Sequence, residues 1–118
     1  MARVLLIEDD PDQLEIRRLL LHQARHTVFS AASAAEARAL FAECRPDTVV
    51  MDLLLPRAED GLELIRWLKE TSPGVRILVL SGWTTSLADT PELALVERVL
   101  AKPVRSAQLM ALVKAGAA

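Results

Sequence analysis

Short apolar runs alternate along this chain with segments whose apolar residues recur at helical spacing. The first run, Val4–Ile7, is unbroken, as is typical of a strand buried on both faces. Strands that alternate with helices form a parallel sheet with helices on both of its faces. This alternation constrains the fold more than any other feature. The predicted strands are Val4–Ile7, His26–Ala31, Thr48–Met51, Val75–Leu80 and Val99–Ala101.

Five helical segments separate or follow these strands. Pro11 suits the first turn of a helix with Asp9 or Asp10 as its N-cap, and Arg17 and Arg18 are expected on the polar face of that helix. Ser33 and Glu36 are spaced as a capping box for the second helix, and Ser106 is a candidate cap for the last. The other predicted helices are Ala34–Cys44, Gly61–Thr71, a weak fourth helix within Trp83–Arg98, and Ala107–Lys114.

The pattern predicts an α/β fold, a single three-layer α/β/α domain with a five-stranded parallel sheet. Right-handed crossovers leave few topologies, and the flavodoxin-like strand order 2-1-3-4-5 is the commonest at this size. A chain of 118 residues, of which 52% are hydrophobic, suits one core and therefore one domain over 1–118.

Composition excludes several classes of function. A net charge of −2 argues against direct binding to nucleic acid. Cys44 is the only cysteine, so neither an intramolecular disulfide nor a cysteine-based zinc site is expected. The sequence has no signal-peptide pattern and no apolar stretch of about 18 residues that could span a membrane. We therefore expect a cytoplasmic domain with no membrane partner.

Charged residues follow three of the predicted strands. Glu8-Asp9-Asp10 follows the first strand, Asp52 the third, and Lys102-Pro103 the fifth. The carboxyl ends of parallel strands line one crevice, where ligands bind in open α/β sheets. Adjacent acids repel one another unless a cation neutralises them, and Mg²⁺ prefers such oxygen ligands. The sequence therefore predicts a magnesium and phosphoryl site at this edge.

Each of these residues also has a simpler interpretation. Asp52 can be a nucleophile toward phosphorus or a turn aspartate, and the nearby acids favour the nucleophile. Asp10 fits a helix cap better than Asp9 does. Lys102 can pair with Asp52 at rest and with phosphate oxygens after transfer. Ser81 offers a hydroxyl at the same edge, although turn chemistry with Gly82 also explains it.

Five sequence blocks resemble, in order and spacing, those of two-component response-regulator receiver domains of the CheY-like superfamily. The resemblance runs from Arg3 to about Val113. The blocks are VLLIEDDP, VVMDLLLP, DGLELI, ILVLSG and LAKP.

This resemblance implies a role for each site residue. Asp52 would be the phosphoacceptor, and Glu8 and Asp9 would organise Mg²⁺ together with the backbone carbonyl of Leu54. Ser81 would be the hydroxyl that moves toward the phosphoryl group, and Lys102 would be the lysine that precedes a cis proline. The implied phosphoryl donor is a sensor histidine kinase or a phosphotransfer protein. The domain would not be an enzyme beyond self-phosphorylation and self-dephosphorylation.

Three positions depart from the common pattern or modify it. Val99 stands where receivers usually carry Tyr or Phe, three residues before the lysine. Leu54 and Trp83 are bulky and apolar at positions that influence loss of the phosphoryl group in the family, so slow self-dephosphorylation is expected. Gly116-Ala117-Ala118 lies after the last predicted helix. A domain that ends there would act through a partner or relay phosphate onward, whereas in a longer protein an effector domain could follow.

Two other functions stay open at the level of sequence. A phosphorylation-independent interaction module would account for Val99. An aspartyl-nucleophile phosphohydrolase usually has a second acid two residues after the nucleophile, and that position is Leu54 here.

Overall fold

A computed structural model describes residues 2–82 and 90–115 of the chain. Its centre is a sheet of five parallel strands in the order β2-β1-β3-β4-β5, which confirms the predicted fold class and strand order. The strands are β1 (Arg3–Ile7), β2 (Thr27–Ala31), β3 (Thr48–Asp52), β4 (Arg76–Ser81) and β5 (Arg98–Ala101).

Helices cover both faces of this sheet. The α-helices in the described residues are α1 (Pro11–Gln23), α2 (Ala34–Cys44), α3 (Ala58–Thr71) and α4 (Ser106–Ala115), and a 3-10 helix spans Pro91–Leu95. None of these helices is long and apolar enough to cross a membrane.

Alternate strand residues face two separate hydrophobic clusters, as the two-residue period of a strand requires. Leu5, Val49 and Ile77 pack with side chains of α2 and α3. Their neighbours Leu6 and Val50 face the opposite way and pack with side chains of α1 and α4. Because both faces of the central strands are buried, the strands are apolar in their interiors, and charged residues occur only at first or last positions, such as Arg76 in β4 and Asp52 in β3.

The strand register aligns these ends. Ile7 pairs with Met51, Asp52 pairs with Leu80, and Ser81 pairs with Ala101. Glu8, Asp52, Ser81 and Lys102 therefore lie at the carboxyl edge of one continuous sheet.

The helix α3 begins three residues earlier than predicted. The Asp60 carboxylate accepts a hydrogen bond from the backbone N–H of Arg57 at 3.2 Å, and this bond helps to cap the helix ahead of Gly61. Gly61 lies in the first turn, where a Cβ atom would lie 2.0 Å from the carbonyl oxygen of Leu53. The glycine marks a close approach of the helix to the end of β3 and is not the start of the helix.

One further prediction about a helix is wrong. Ser106 is the first residue of α4 and not its cap, because the Leu109 N–H already donates to the Arg105 carbonyl. The predicted weak fourth helix is, within the described residues, the 3-10 helix Pro91–Leu95, in which the Leu93 N–H donates to the Thr90 carbonyl. Trp83 and the rest of segment 83–89 lie outside the described residues.

Candidate metal and phosphoryl site

A pocket of about 690 Å³ opens at the carboxyl edge of the sheet. It brings together four of the residues singled out in the sequence, Glu8, Asp9, Asp52 and Lys102, and Leu54 forms part of its wall. Its other lining residues are Asp10, Gln13, Arg17, Pro56, Gly82, Pro103 and Val104. The three charged stretches that are far apart in the sequence thus share one crevice.

Asp52 is held from two sides. One carboxylate oxygen, Oδ1, accepts a hydrogen bond from the backbone N–H of Leu54 at 3.2 Å, and the other, Oδ2, forms an ion pair with Nζ of Lys102. Only 6% of Asp52 is exposed, whereas Lys102 is half-buried at the rim. The Lys102-Pro103 peptide bond is cis, as the resemblance implied. The pair places the carboxylate oxygens of Asp52 at the base of the pocket.

Glu8 is the most deeply buried acid of the pocket, with 2% of its surface exposed. Its Oε1 accepts a hydrogen bond from Nη1 of Arg17 at 2.9 Å. Its Oε2 is buried and has no hydrogen-bond partner among the residues that the structure describes. Burial raises the pKa of Glu8 and the negative charge of Asp52 raises it further, whereas Lys102 and Arg17 lower it.

The acids form a group of suitable size for a metal ion. One carboxylate oxygen from each of Glu8, Asp9 and Asp52 lies within 4.8 Å of the others. The donors are all oxygen, which suits Mg²⁺, and the unpartnered Oε2 of Glu8 is a buried acceptor that a cation would satisfy. Asp10 does not belong to this group, because its Oδ1 caps α1 by accepting from the Asp12 N–H at 2.9 Å. The residues present therefore fit the metal that the sequence predicted.

Ser81 lies beside the pocket at the end of β4. Its hydroxyl donates to the Gly82 carbonyl at 3.2 Å, and its own carbonyl accepts from the Lys102 N–H. The hydroxyl therefore has the turn contact that the simpler interpretation required, and its movement toward a phosphoryl group stays a prediction. Val99 on β5 pairs with Val79 and packs against the cluster shared with α2 and α3.

Sequence reasoning missed Arg17, which was assigned to the polar face of α1. It lines the pocket two turns into the helix, and its side chain is only 11% exposed. Helical side chains lean toward the N-terminus of the helix, so a long arginine in the second turn can reach back to the strand end. Two considerations could have predicted this contact. One is the lean of helical side chains toward the N-terminus, and the other is that a buried Glu8 needs a positive charge beside it.

The fold and the pocket define an open α/β domain with an acidic pocket at the carboxyl edge of its sheet, the place where ligands bind in such sheets. Comparison with known proteins gives the family. Residues 4–114 match the family model described as response regulator receiver domain. The chain belongs to the response-regulator receiver family of two-component systems.

Individual relatives agree with this assignment. The response regulator MprA of Mycobacterium sp. (strain KMS) is 40% identical over 81 residues, which cover 69% of this chain and 35% of that protein. A response regulator receiver domain from Clostridium thermocellum has a TM-score of 0.84 and 27% identity, covering 98% of this chain and 93% of that one. A CheY-like receiver from Methanospirillum hungatei has the same fold, with a TM-score of 0.87 and 24% identity. That match covers 98% of this chain and 92% of the other chain. The matched part of this chain spans about a third of the length of the curated relatives.

Proposed function

We propose that this chain is the phosphoacceptor receiver of a phosphorelay, in which Asp52 takes a phosphoryl group in a magnesium-dependent reaction. The observation that carries this proposal is the environment of Asp52. Its carboxylate lies at the base of the pocket, bonded to Leu54 N–H and Lys102, with oxygens of Glu8 and Asp9 within 4.8 Å.

The reaction is a displacement at phosphorus. A carboxylate oxygen of Asp52 attacks the phosphorus of a phosphohistidine on a histidine kinase or phosphotransfer protein. The new bond is the O–P bond of an acyl phosphate, and the P–N bond to imidazole breaks. The imidazole keeps the electron pair of that bond and takes up a proton from water, so no reactant other than solvent is needed.

Glu8, Asp9 and Asp52 would hold Mg²⁺, with the backbone carbonyl of Leu54 as a further ligand. When bound, the ion would neutralise charge on the transferring phosphoryl oxygens, which the acids would otherwise repel. This arrangement accounts for three acids in a pocket that must admit an anion.

Lys102 and Ser81 would act on the product. Lys102 loses part of its attraction to Asp52 once that carboxylate is esterified, and its ammonium is then available to a phosphoryl oxygen. The hydroxyl of Ser81 would leave the Gly82 carbonyl and donate to the same group. These changes would alter the surface beside β4 and β5 and thereby change the affinity for a downstream protein partner.

Intact-mass measurement after treatment with a small phosphodonor, such as acetyl phosphate, tests the proposal. With Mg²⁺ present we expect a decaying adduct of one phosphoryl group, which Asp52→Asn abolishes. Asp12→Asn is the matched control, because Asp12 is an exposed acid on α1 outside the group of acids near Asp52. Catalytic turnover of the donor would favour a phosphohydrolase, and no adduct at all would favour an interaction module that works without phosphorylation.

A further inference from the structure

The ion pair between Glu8 and Arg17 joins the metal pocket to the second turn of α1. Both side chains are nearly buried, with 2% and 11% of their surfaces exposed. The neighbouring Arg18 differs, because it is exposed and pairs with Glu15 on the same helix. Of these two adjacent arginines, Arg17 is the one whose guanidinium contacts an acid of the pocket.

This contact makes the two oxygens of Glu8 unequal. Arg17 Nη1 donates to Oε1 at 2.9 Å, while Oε2 is buried without a hydrogen-bond partner among the described residues. The hydrogen bond from Arg17 uses one of the two lone pairs of Oε1, whereas Oε2 is free of such a contact among the described residues. Two-oxygen coordination by Glu8 would place the cation and the Arg17 guanidinium on the same oxygen, where their like charges repel each other.

The number of oxygens that a site offers affects which divalent cation it selects. Ca²⁺ takes about 6–8 oxygen ligands and readily accepts both oxygens of a carboxylate. Mg²⁺ is smaller, requires a near-octahedral shell and is commonly held by one or two carboxylates with several waters. If Glu8 offers one oxygen only, the higher coordination number of Ca²⁺ is harder to complete, whereas the octahedral shell of Mg²⁺ can still form.

We propose that Arg17 is a positioning residue that limits Glu8 to a single coordinating oxygen and so makes the pocket select Mg²⁺ over Ca²⁺. This inference rests on the proposed function, since it concerns the same metal site. It assigns to α1 a part in metal selectivity in addition to its packing against the sheet.

Arg17 could instead affect metal binding only through its positive charge. A positive charge near the site repels every divalent cation alike, so a purely Coulombic role would weaken Mg²⁺ and Ca²⁺ binding by the same factor. A purely structural ion pair would change stability and neither affinity. The ratio of the two affinities distinguishes positioning from both alternatives.

The experiment measures Kd for Mg²⁺ and for Ca²⁺ by NMR titration of backbone amides in the unphosphorylated protein. The variants are Arg17→Met, with Arg18→Met as the matched control that removes an arginine from the same helix outside the pocket. We expect Arg17→Met to lower the preference for Mg²⁺ over Ca²⁺ by about tenfold, since losing a group that orients a metal ligand changes metal affinity by about tenfold or more and the change here is expected to fall mainly on one ion. Arg18→Met is expected to leave the preference unchanged.

A second set of variants tests whether Arg17 acts on metal preference through Glu8. In Glu8→Gln protein the carboxylate is absent, so adding Arg17→Met should no longer change the preference. If Arg17→Met does not fold, Arg17→Lys replaces it, and we expect a smaller shift in the same direction because an ammonium group does not hold the carboxylate as a guanidinium does.

An unchanged ratio in the Arg17 variant, or equal changes for both ions, would overturn the inference while leaving the proposed function intact. Failure of the unmodified protein to bind Mg²⁺ at the pocket would overturn both. The same ratio shift in Glu8→Gln protein would show that Arg17 acts through some other group and would also contradict the inference.

Discussion

At the scale of single residues, the pocket pairs its two buried carboxylates with basic side chains from different elements. Asp52 pairs with Lys102 after β5, and Glu8 pairs with Arg17 on α1. Asp9 is the exposed member of the acidic group. Each pairing offsets part of the cost of burying a carboxylate, because an isolated buried charge is costly. The pocket thus places basic groups beside the acids that a cation would bind.

Leu54 is expected to slow loss of the phosphoryl group. It is 39% exposed in the wall of the pocket and follows Asp52 by two residues, so it can exclude water but cannot orient one by hydrogen bonding. We expect Leu54→Asn to shorten the lifetime of phosphorylated protein, measured by the decay of the adduct mass.

Leu19 provides the control for that measurement, because it is exposed to a similar extent, 43%, but lies on α1. Leu19→Asn should leave the lifetime unchanged. Equal lifetimes for Leu54→Asn and the unmodified protein would show that Leu54 does not exclude the attacking water. The companion prediction for Trp83 falls outside the described residues and stays a prediction.

His26 should make the stability of the fold depend on pH. Its Nδ1 accepts a hydrogen bond from the Ala2 N–H at 3.0 Å, and burial lowers the pKa of His26 below its ordinary value. The unfolded chain therefore binds a proton more readily. The free energy of unfolding should fall as the pH drops from above the unfolded pKa, about 6.5, through the lower folded pKa.

The check on His26 is a series of chemical unfolding curves between neutral and mildly acidic pH. His26→Asn keeps an acceptor near the position of Nδ1 and cannot titrate, so its free energy of unfolding should vary less across this range. A pH dependence identical to that of the unmodified protein would assign the effect to other groups.

At the scale of elements, the loop that carries the site depends on a close contact between α3 and the end of β3. Gly61 in the first turn of α3 lies against the Leu53 carbonyl, one residue beyond Asp52. This contact fixes the path of the backbone just after the proposed acceptor. A side chain at position 61 must displace either the helix or the loop.

Gly61→Ala should therefore lower the free energy of unfolding by about 1–3 kcal/mol or more, as overpacked sites do. It should also slow phosphoryl transfer, because relieving the clash displaces Leu53, which is the residue that follows Asp52. The control is Gly74→Ala, where a Cβ would have no neighbour within 4 Å. Equal stability of the two variants, measured by denaturant unfolding, would mean that the loop yields without cost.

The elements also show what can be predicted from sequence. Strands and their order follow from apolar runs and crossover handedness, and α2 was predicted to the residue because Ser33 Oγ accepts from the Glu36 N–H. The second bond of the expected capping box differs, because the Glu36 carboxylate accepts from the Ala32 N–H and not from that of Ser33. The start of α3 was missed because a glycine in a sequence does not reveal which neighbour it approaches. A short helix was predicted near Leu93, but its 3-10 type was not, because a short apolar segment after Pro91 is compatible with either helix type.

At the scale of the whole molecule, the site is expected to reduce the stability of the metal-free protein. Glu8, Asp9 and Asp52 carry like charges within 4.8 Å of one another, which favours unfolding when no cation is bound. Function and stability therefore oppose each other at this edge of the sheet.

Asp9→Asn should raise the melting temperature of the metal-free protein, because it removes one charge from this group. The same variant should gain less stability from added Mg²⁺ than the unmodified protein, whose gain approaches about 2.7 kcal/mol at a hundred times Kd. Thermal unfolding with and without Mg²⁺ measures both effects. An unchanged response to Mg²⁺ would remove Asp9 from the metal site.

The central claim is that Asp52 accepts the phosphoryl group in a magnesium-dependent reaction. The most direct measurement treats the protein with a phosphodonor, with and without a chelator, reduces the acyl phosphate chemically to a stable product, and locates the modified residue by peptide mass spectrometry. We expect one modified residue, Asp52, and no modification when Mg²⁺ is chelated. Modification at another residue such as Asp9 or Ser81, or equal modification without Mg²⁺, would contradict the claim.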